Sequence, residues 1–142
     1  MREFKPIRIA PLFVAAAVLV GCAFTGPASA GNFPTHWVAP VSGDWTDPTR
    51  WSTNPFYPEN GNPAEIVYDT FIDAPGPDYT VTLDDDVEVN RVVIRSPAAL
   101  MNQPGHTLDL FFLGLGDVGA GRYRMSDGTL NLIALAVGGS GW

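Results

Sequence analysis

GHTLDLFFLGLGDVG (105–119) lies over DGTLNLIALAVGGSG (127–141) without a gap at an offset of 22 residues. Six of the fifteen positions are identical: Thr107 falls on Thr129, Leu108 on Leu130, Leu110 on Leu132, Leu113 on Leu135, Gly116 on Gly138 and Gly119 on Gly141. Asp109/Asn131, Phe111/Ile133 and Leu115/Val137 are near matches. The conserved skeleton is apolar-x-apolar-x-x-apolar-x-apolar. Apolar residues two apart mark a strand, whose successive side chains face opposite sides. The two intervening residues predict a corner, with a second short strand after it. A helix needs spacings of three and four sustained over about ten residues or more, and glycine interrupts them here.

The same skeleton occurs upstream. Val87, Val89, Val92 and Ile94 precede Leu108, Leu110, Leu113 and Leu115 by 21 residues. A weaker copy, Ile66, Tyr68 and Phe71, fails at Asp73. Shorter apolar pieces stand before the three good copies: Tyr79-Thr80-Val81, Leu100-Met101 and Tyr123-Arg124-Met125. A period near 22, with glycine at fixed places and about three strands per period, predicts the coils of a β-solenoid. The expected fold is all-β: a right-handed parallel β-helix of about three to four coils over residues 64–142. Each coil rises by one strand spacing, about 4.8 Å, so equivalent side chains stack in ladders. The competing fold is an antiparallel β-sandwich with evenly spaced strands.

Residues 31–63 are aperiodic and hold six prolines between Pro34 and Pro63. They predict an extended, turn-rich lead-in and cap. Residues 1–30 have the form of a signal peptide. Arg2, Lys5 and Arg8 precede the apolar run Ile9–Val20, and Ala28-Ser29-Ala30 offers a cleavage site before Gly31. The run is shorter than the roughly 20 residues a spanning helix needs. A second exit lies inside it: Leu19-Val20-Gly21-Cys22 matches the pattern in which a cysteine is lipidated and becomes the new N-terminus. Gly26-Pro27 ahead of the alanine site favours soluble export over a lipid anchor at Cys22.

A chain starting at Gly31 has 112 residues and no cysteine, so it can form neither disulfides nor thiolate metal sites. It carries five arginines, no lysine and fourteen acids, a net charge of −9. That balance argues against nucleic acid and anionic membranes as partners.

Trp45 and Trp51 flank an Asp47-Pro48 turn. An exposed aromatic pair can stack on sugar rings. A solenoid also has an uncovered apolar end that needs a cap, and the turn would fold the two rings toward each other for that purpose. Asp84-Asp85-Asp86 is a weak calcium candidate, because Ca²⁺ takes six to eight oxygens; its alternative is a solvated corner that discourages lateral aggregation. Gly114-Leu115-Gly116-Asp117 faintly resembles calcium-binding nonapeptides but occurs once and out of order. His36 and His106 lack metal-ligand spacing and predict exposed turn positions. Arg91, Arg95, Arg122 and Arg124 can form an anion-binding stripe or pair with surface acids. No Ser-His-Asp order, phosphate loop or zinc motif occurs in the sequence.

GDWTDPTRWS, NPFYPENGNPAEIVYDTFID and YTVTLDDDVEV resemble the start of secreted bacterial β-helix proteins of the autotransporter-associated and PEP-CTERM-associated repeat type. GRYRMSDGTLNLIALAVGGSGW is similar to their repeat, in which G-x-Y, G-T-L and V-G-x-S-G recur. The likeness spans residues 42–142. It implies an exported, extracellular or surface-associated protein without assigned activity. The chain stops at Gly141-Trp142 in mid-coil, without the C-terminal sorting segment that some relatives carry, which implies a truncated member of the group. The expected role is a non-enzymatic structural or adhesive module, with no cofactor. Its expected partners are extracellular polysaccharide or cell-surface components, and other copies of itself through the open C-terminal coil. The alternatives are a carbohydrate-binding module using Trp45 and Trp51 and, less favoured, a fragment of a polysaccharide-degrading β-helix.

Overall fold

The computed structural model describes residues 31–116 and 120–138. The export segment with Cys22 and Ala30 lies outside the described residues, as do Asp117, Gly119, Gly141 and Trp142. In chain order the strands are β1 (Asn32–His36), β2 (Gly43–Asp44), β3 (Val67–Ile72), β4 (Tyr79–Thr82), β5 (Val87–Ile94), β6 (Ala99–Gln103), β7 (Thr107–Leu115), β8 (Arg122–Met125) and β9 (Thr129–Val137). A single 3-10 turn, Pro48–Arg50, is the only helical element among the described residues.

Odd-numbered strands form one sheet, in the order β1-β3-β5-β7-β9. Even-numbered strands form the other, in the order β2-β4-β6-β8. Every strand pairing is parallel. A chain that alternates between two sheets and always returns parallel to its earlier pass is winding a solenoid. The antiparallel sandwich is thereby excluded.

The ladders predicted from the repeat occur in register. Val89 pairs with Leu110 and Leu110 with Leu132. The same holds for the columns Val87–Leu108–Leu130, Val92–Leu113–Leu135 and Ile94–Leu115–Val137. Within β5 the residues of these columns are buried, while Asn90 and Arg91 at the centre are both only half-buried. Two successive residues that do not point inward break the alternation, so β5 bends there without ending. The predicted three strands per coil are therefore two: one long strand bent at its middle and one short strand opposite.

Two further details differ from the sequence expectation. First, residues 31–63 hold β1 and β2, which pair with β3 and β4 and so belong to the stacked sheets. Prolines hid the strand: Pro34 sits in β1, an edge strand, where its missing N–H costs least. Second, the weak upstream copy is shifted. The buried residues of β3 are Tyr68, Thr70 and Ile72, and Phe71 faces outward. Thr70 stacks on Val92 and Ile72 on Ile94. A threonine in an aliphatic column disguised the repeat.

The first coil is the long one. Asn32 pairs with Val67, 35 residues on, whereas Asp69 pairs with Arg91 at 22, Val87 with Leu108 at 21 and Thr107 with Thr129 at 22. The extra chain lies between β2 and β3 and contains Trp45 and Trp51. At the opposite end, the 22-residue step brings the turn at Asp127-Gly128 onto the turn at Gly105-His106. Gly128 has φ of +91°, and a Cβ there would collide with the His106 carbonyl. Only glycine fits that corner.

Candidate functional site

The first-coil insertion folds back over the end of the stack. Val38 donates its N–H to the Arg50 carbonyl and Ser52 donates to the His36 carbonyl, both at 2.9 Å. Trp51 thus runs antiparallel beside Trp37, closing part of the free edge of β1. Asp47 accepts from the Thr49 N–H and hydroxyl, at 3.0 and 2.6 Å, which fixes the Pro48–Arg50 turn and holds its carboxyl below the usual carboxylate range. The turn brings the Trp45 and Trp51 ring centroids to 4.8 Å, and Trp37 lies edge-on to Trp51 at 4.9 Å. Each indole N–H is satisfied: Trp45 on the Pro58 carbonyl, Trp51 on the Trp45 carbonyl and Trp37 on the Val41 carbonyl.

Trp45 is 0% exposed and Trp51 1%. Sugar stacking needs an exposed ring face, and neither ring has one. Of the two readings open for Trp45 and Trp51, their burial fits the cap, in which their apolar area closes the core end, and not the ligand platform.

Asp84, Asp85 and Asp86 do not converge. Asp84 accepts the Thr46 N–H at 3.0 Å and the Thr46 hydroxyl at 2.5 Å, reaching back one coil. Asp86 accepts the Thr107 N–H at 2.6 Å, reaching forward one coil, with His106 Nδ1 at 3.8 Å. Asp85 accepts the N–H of Asp86. Among the described residues there is no group of three or more His, Cys, Asp or Glu side chains placed to hold a metal ion. Successive carboxylates at this corner point apart, and Asp84 and Asp86 link it to the coils on either side.

The histidines divide. His106 is exposed in a turn, as expected, but His36 lies on β1 with its ring stacked on Phe71 and Nδ1 2.9 Å from Asp73. The four arginines do not form one stripe, since Arg91 and Arg95 sit at the long sheet and Arg122 and Arg124 on β8. Arg122 meets the Ala98 carbonyl and Asp78, and Arg124 meets Asn102. Polar pairs also tie the coils on the outer face: Asn90 donates to Asp69 and Asn131 to Asp109.

The sequence did not single out Gln103. It is fully buried, and its amide donates to the His106 carbonyl at 3.0 Å and the Thr129 carbonyl at 2.8 Å while accepting the Tyr123 hydroxyl. A lone glutamine after an apolar strand gives no periodic signal.

The far end of the described stack is apolar. No described strand covers the outer edge of β9, and Leu135 and Val137, in columns buried one coil earlier or partly so, are 55% and 66% exposed. Leu130 and Leu132 are only half-buried. No family model, curated protein or solved structure matches the chain.

Proposed function

We propose that the chain is an exported, non-enzymatic β-solenoid segment, a structural or adhesive module that acts outside the cell or at its surface. The observation that carries this reading is the asymmetry of the stack: one end closed by three buried tryptophans, the other presenting apolar ladders and a strand edge with no described strand over it. Such an edge is a template for pairing with another chain. The signal-like residues 1–30 support export. The coil hand is right-handed in this proposal, as parallel crossovers nearly always are. Carboxylates engaged between coils, at Asp69, Asp84, Asp86 and Asp109, support a load-carrying rather than a catalytic surface.

The partner at the open end is a second copy. Leu130, Leu132, Leu135 and Val137 are spaced two, three and two residues apart, so the pattern reads the same in both directions. A copy turned antiparallel sets Leu130 opposite Val137 and Leu132 opposite Leu135, inward side against inward side. Sedimentation over a concentration series should show dimers of the 142-residue chain. Leu135→Asp, at a half-exposed position, should leave a monomer with an unchanged far-UV spectrum. A wild-type chain that stays monomeric throughout contradicts the proposal. Fractionation of expressing bacteria tests export: a product starting at Gly31 outside the cytoplasm is expected, and full-length chain retained inside contradicts it.

A further inference from the structure

We propose that the outer face of the long sheet carries a binding site for a hexuronate, with Arg91 as the carboxylate-binding group. The rung His36–Phe71–Val93–Gly114–Ala136 runs across the five strands and passes from two aromatic rings to small side chains. The step down from Phe71 to Gly114 and Ala136 leaves a cavity of about 340 Å³ lined by Arg91, Val93, Arg95, Phe112, Gly114 and Ala136. A Cβ at Gly114 would come within 3.0 Å of Phe112 and 3.2 Å of Val93 and begin to fill it. Val93 belongs to this outer rung yet is only 4% exposed, so the flanking side chains already wall the cavity.

Arg91 is the distinctive group. Its guanidinium lies 5.2 Å from the Phe112 ring centroid, and its Nε is buried without a hydrogen-bond partner. Among the described residues no carboxylate pairs with it, although the chain has 15 acids against 8 basic residues. The nearby carboxylates are committed elsewhere, Asp69 to Asn32 and Asn90 and Asp73 to His36. A guanidinium held against an aromatic ring, with its Nε shielded, keeps its two terminal amino groups for a carboxylate. Arg95 lines the other end of the cavity with its guanidinium over Phe71 at 4.6 Å. Guanidiniums at two ends of a cavity floored by Val93, Gly114 and Ala136 suit a compact, polar body that carries a carboxylate.

A sugar acid fits better than a peptide C-terminus. An extended peptide gains affinity by adding to a strand edge, and β5 and β7 are each paired on both sides. The cavity therefore offers side chains and no free backbone ladder. The site rests on the surface role proposed above only for the source of its ligand.

The test is an NMR titration of the arginine Nε–H signals in the whole 142-residue chain at constant ionic strength. The probes are glucuronate, methyl glucoside and N-acetylalanine. Glucuronate should shift the Arg91 signal saturably, methyl glucoside should not, and N-acetylalanine should bind at least tenfold more weakly. Arg91→Gln should weaken glucuronate binding at least tenfold by calorimetry. Arg91→Lys, which keeps the charge but loses the fork, should also bind more weakly. No saturable shift in the wild type, equal affinity in Arg91→Lys, or equal binding of N-acetylalanine overturns the assignment. A wild-type chain that binds no glucuronate while forming dimers and being exported would sink this site alone.

Discussion

Tyr123 and Gln103 form the polar knot of the last coils. The Tyr123 hydroxyl donates to Gln103, whose amide holds the carbonyls of His106 and Thr129. Burial pushes the Tyr123 phenol up to about 12, and burial also raises Tyr57, Tyr68 and Tyr79, so all four tyrosines shift the same way. A raised phenol pKa in the folded state means folding favours the neutral form. That contribution is complete below the ordinary value of 10 and is lost as pH climbs toward about 12. Thermal melting should therefore fall across that alkaline window, and absorbance at 295 nm should show folded-state titration displaced upward relative to denatured chain. Identical titration curves in the two states would remove the knot. None of this was legible in the sequence, because a glutamine and a tyrosine twenty residues apart carry no motif. The Trp45/Trp51 turn was legible, because Asp-Pro between two large rings constrains them locally.

At the scale of the strand, β3 shows where periodicity gives way to packing. The columns through β5, β7 and β9 could be written from aliphatic spacing alone, since each position must present an apolar side chain to the interior. β3 obeys the same register with Thr70 in the column of Val92. A hydroxyl is the size of a methyl but polar, so a hydropathy pattern passes over it. Thr70 is fully buried and its Oγ1 has no hydrogen-bond partner among the described residues. An unsatisfied buried hydroxyl costs about 1–3 kcal/mol. Thr70→Val, which keeps the shape and restores the aliphatic column, should stabilise the chain by about 1 kcal/mol in urea unfolding. Destabilisation would show that the hydroxyl has a role the packing does not reveal. The sheet assignments of β1 and β2 escaped the sequence for a different reason: the first coil is lengthened by the cap, so no fixed offset links these strands to β3 and β4.

The whole molecule is a short stack with unlike ends. Its N-terminal end is finished by indoles buried against one another, and its C-terminal end presents the same ladders with nothing described over them. Between the ends, hydrogen bonds accepted by Asp84 and Asp86 and donated by Asn90, Asn131 and Gln103 cross from coil to coil, so the stack is tied outside as well as filled inside. Everything proposed about association and surface role depends on consecutive passes of the chain lying parallel, one rung apart. That can be measured with two spin labels, at Glu88→Cys and Asn131→Cys, with Cys22 changed to serine. Glu88 pairs with Asp109 and Asp109 with Asn131, so the labelled backbones lie two rungs apart, about 10 Å at the usual strand spacing. Dipolar broadening of the resonance stronger than in either single-label chain is the predicted result. Sharp lines matching the sum of the two single-label spectra would contradict the solenoid.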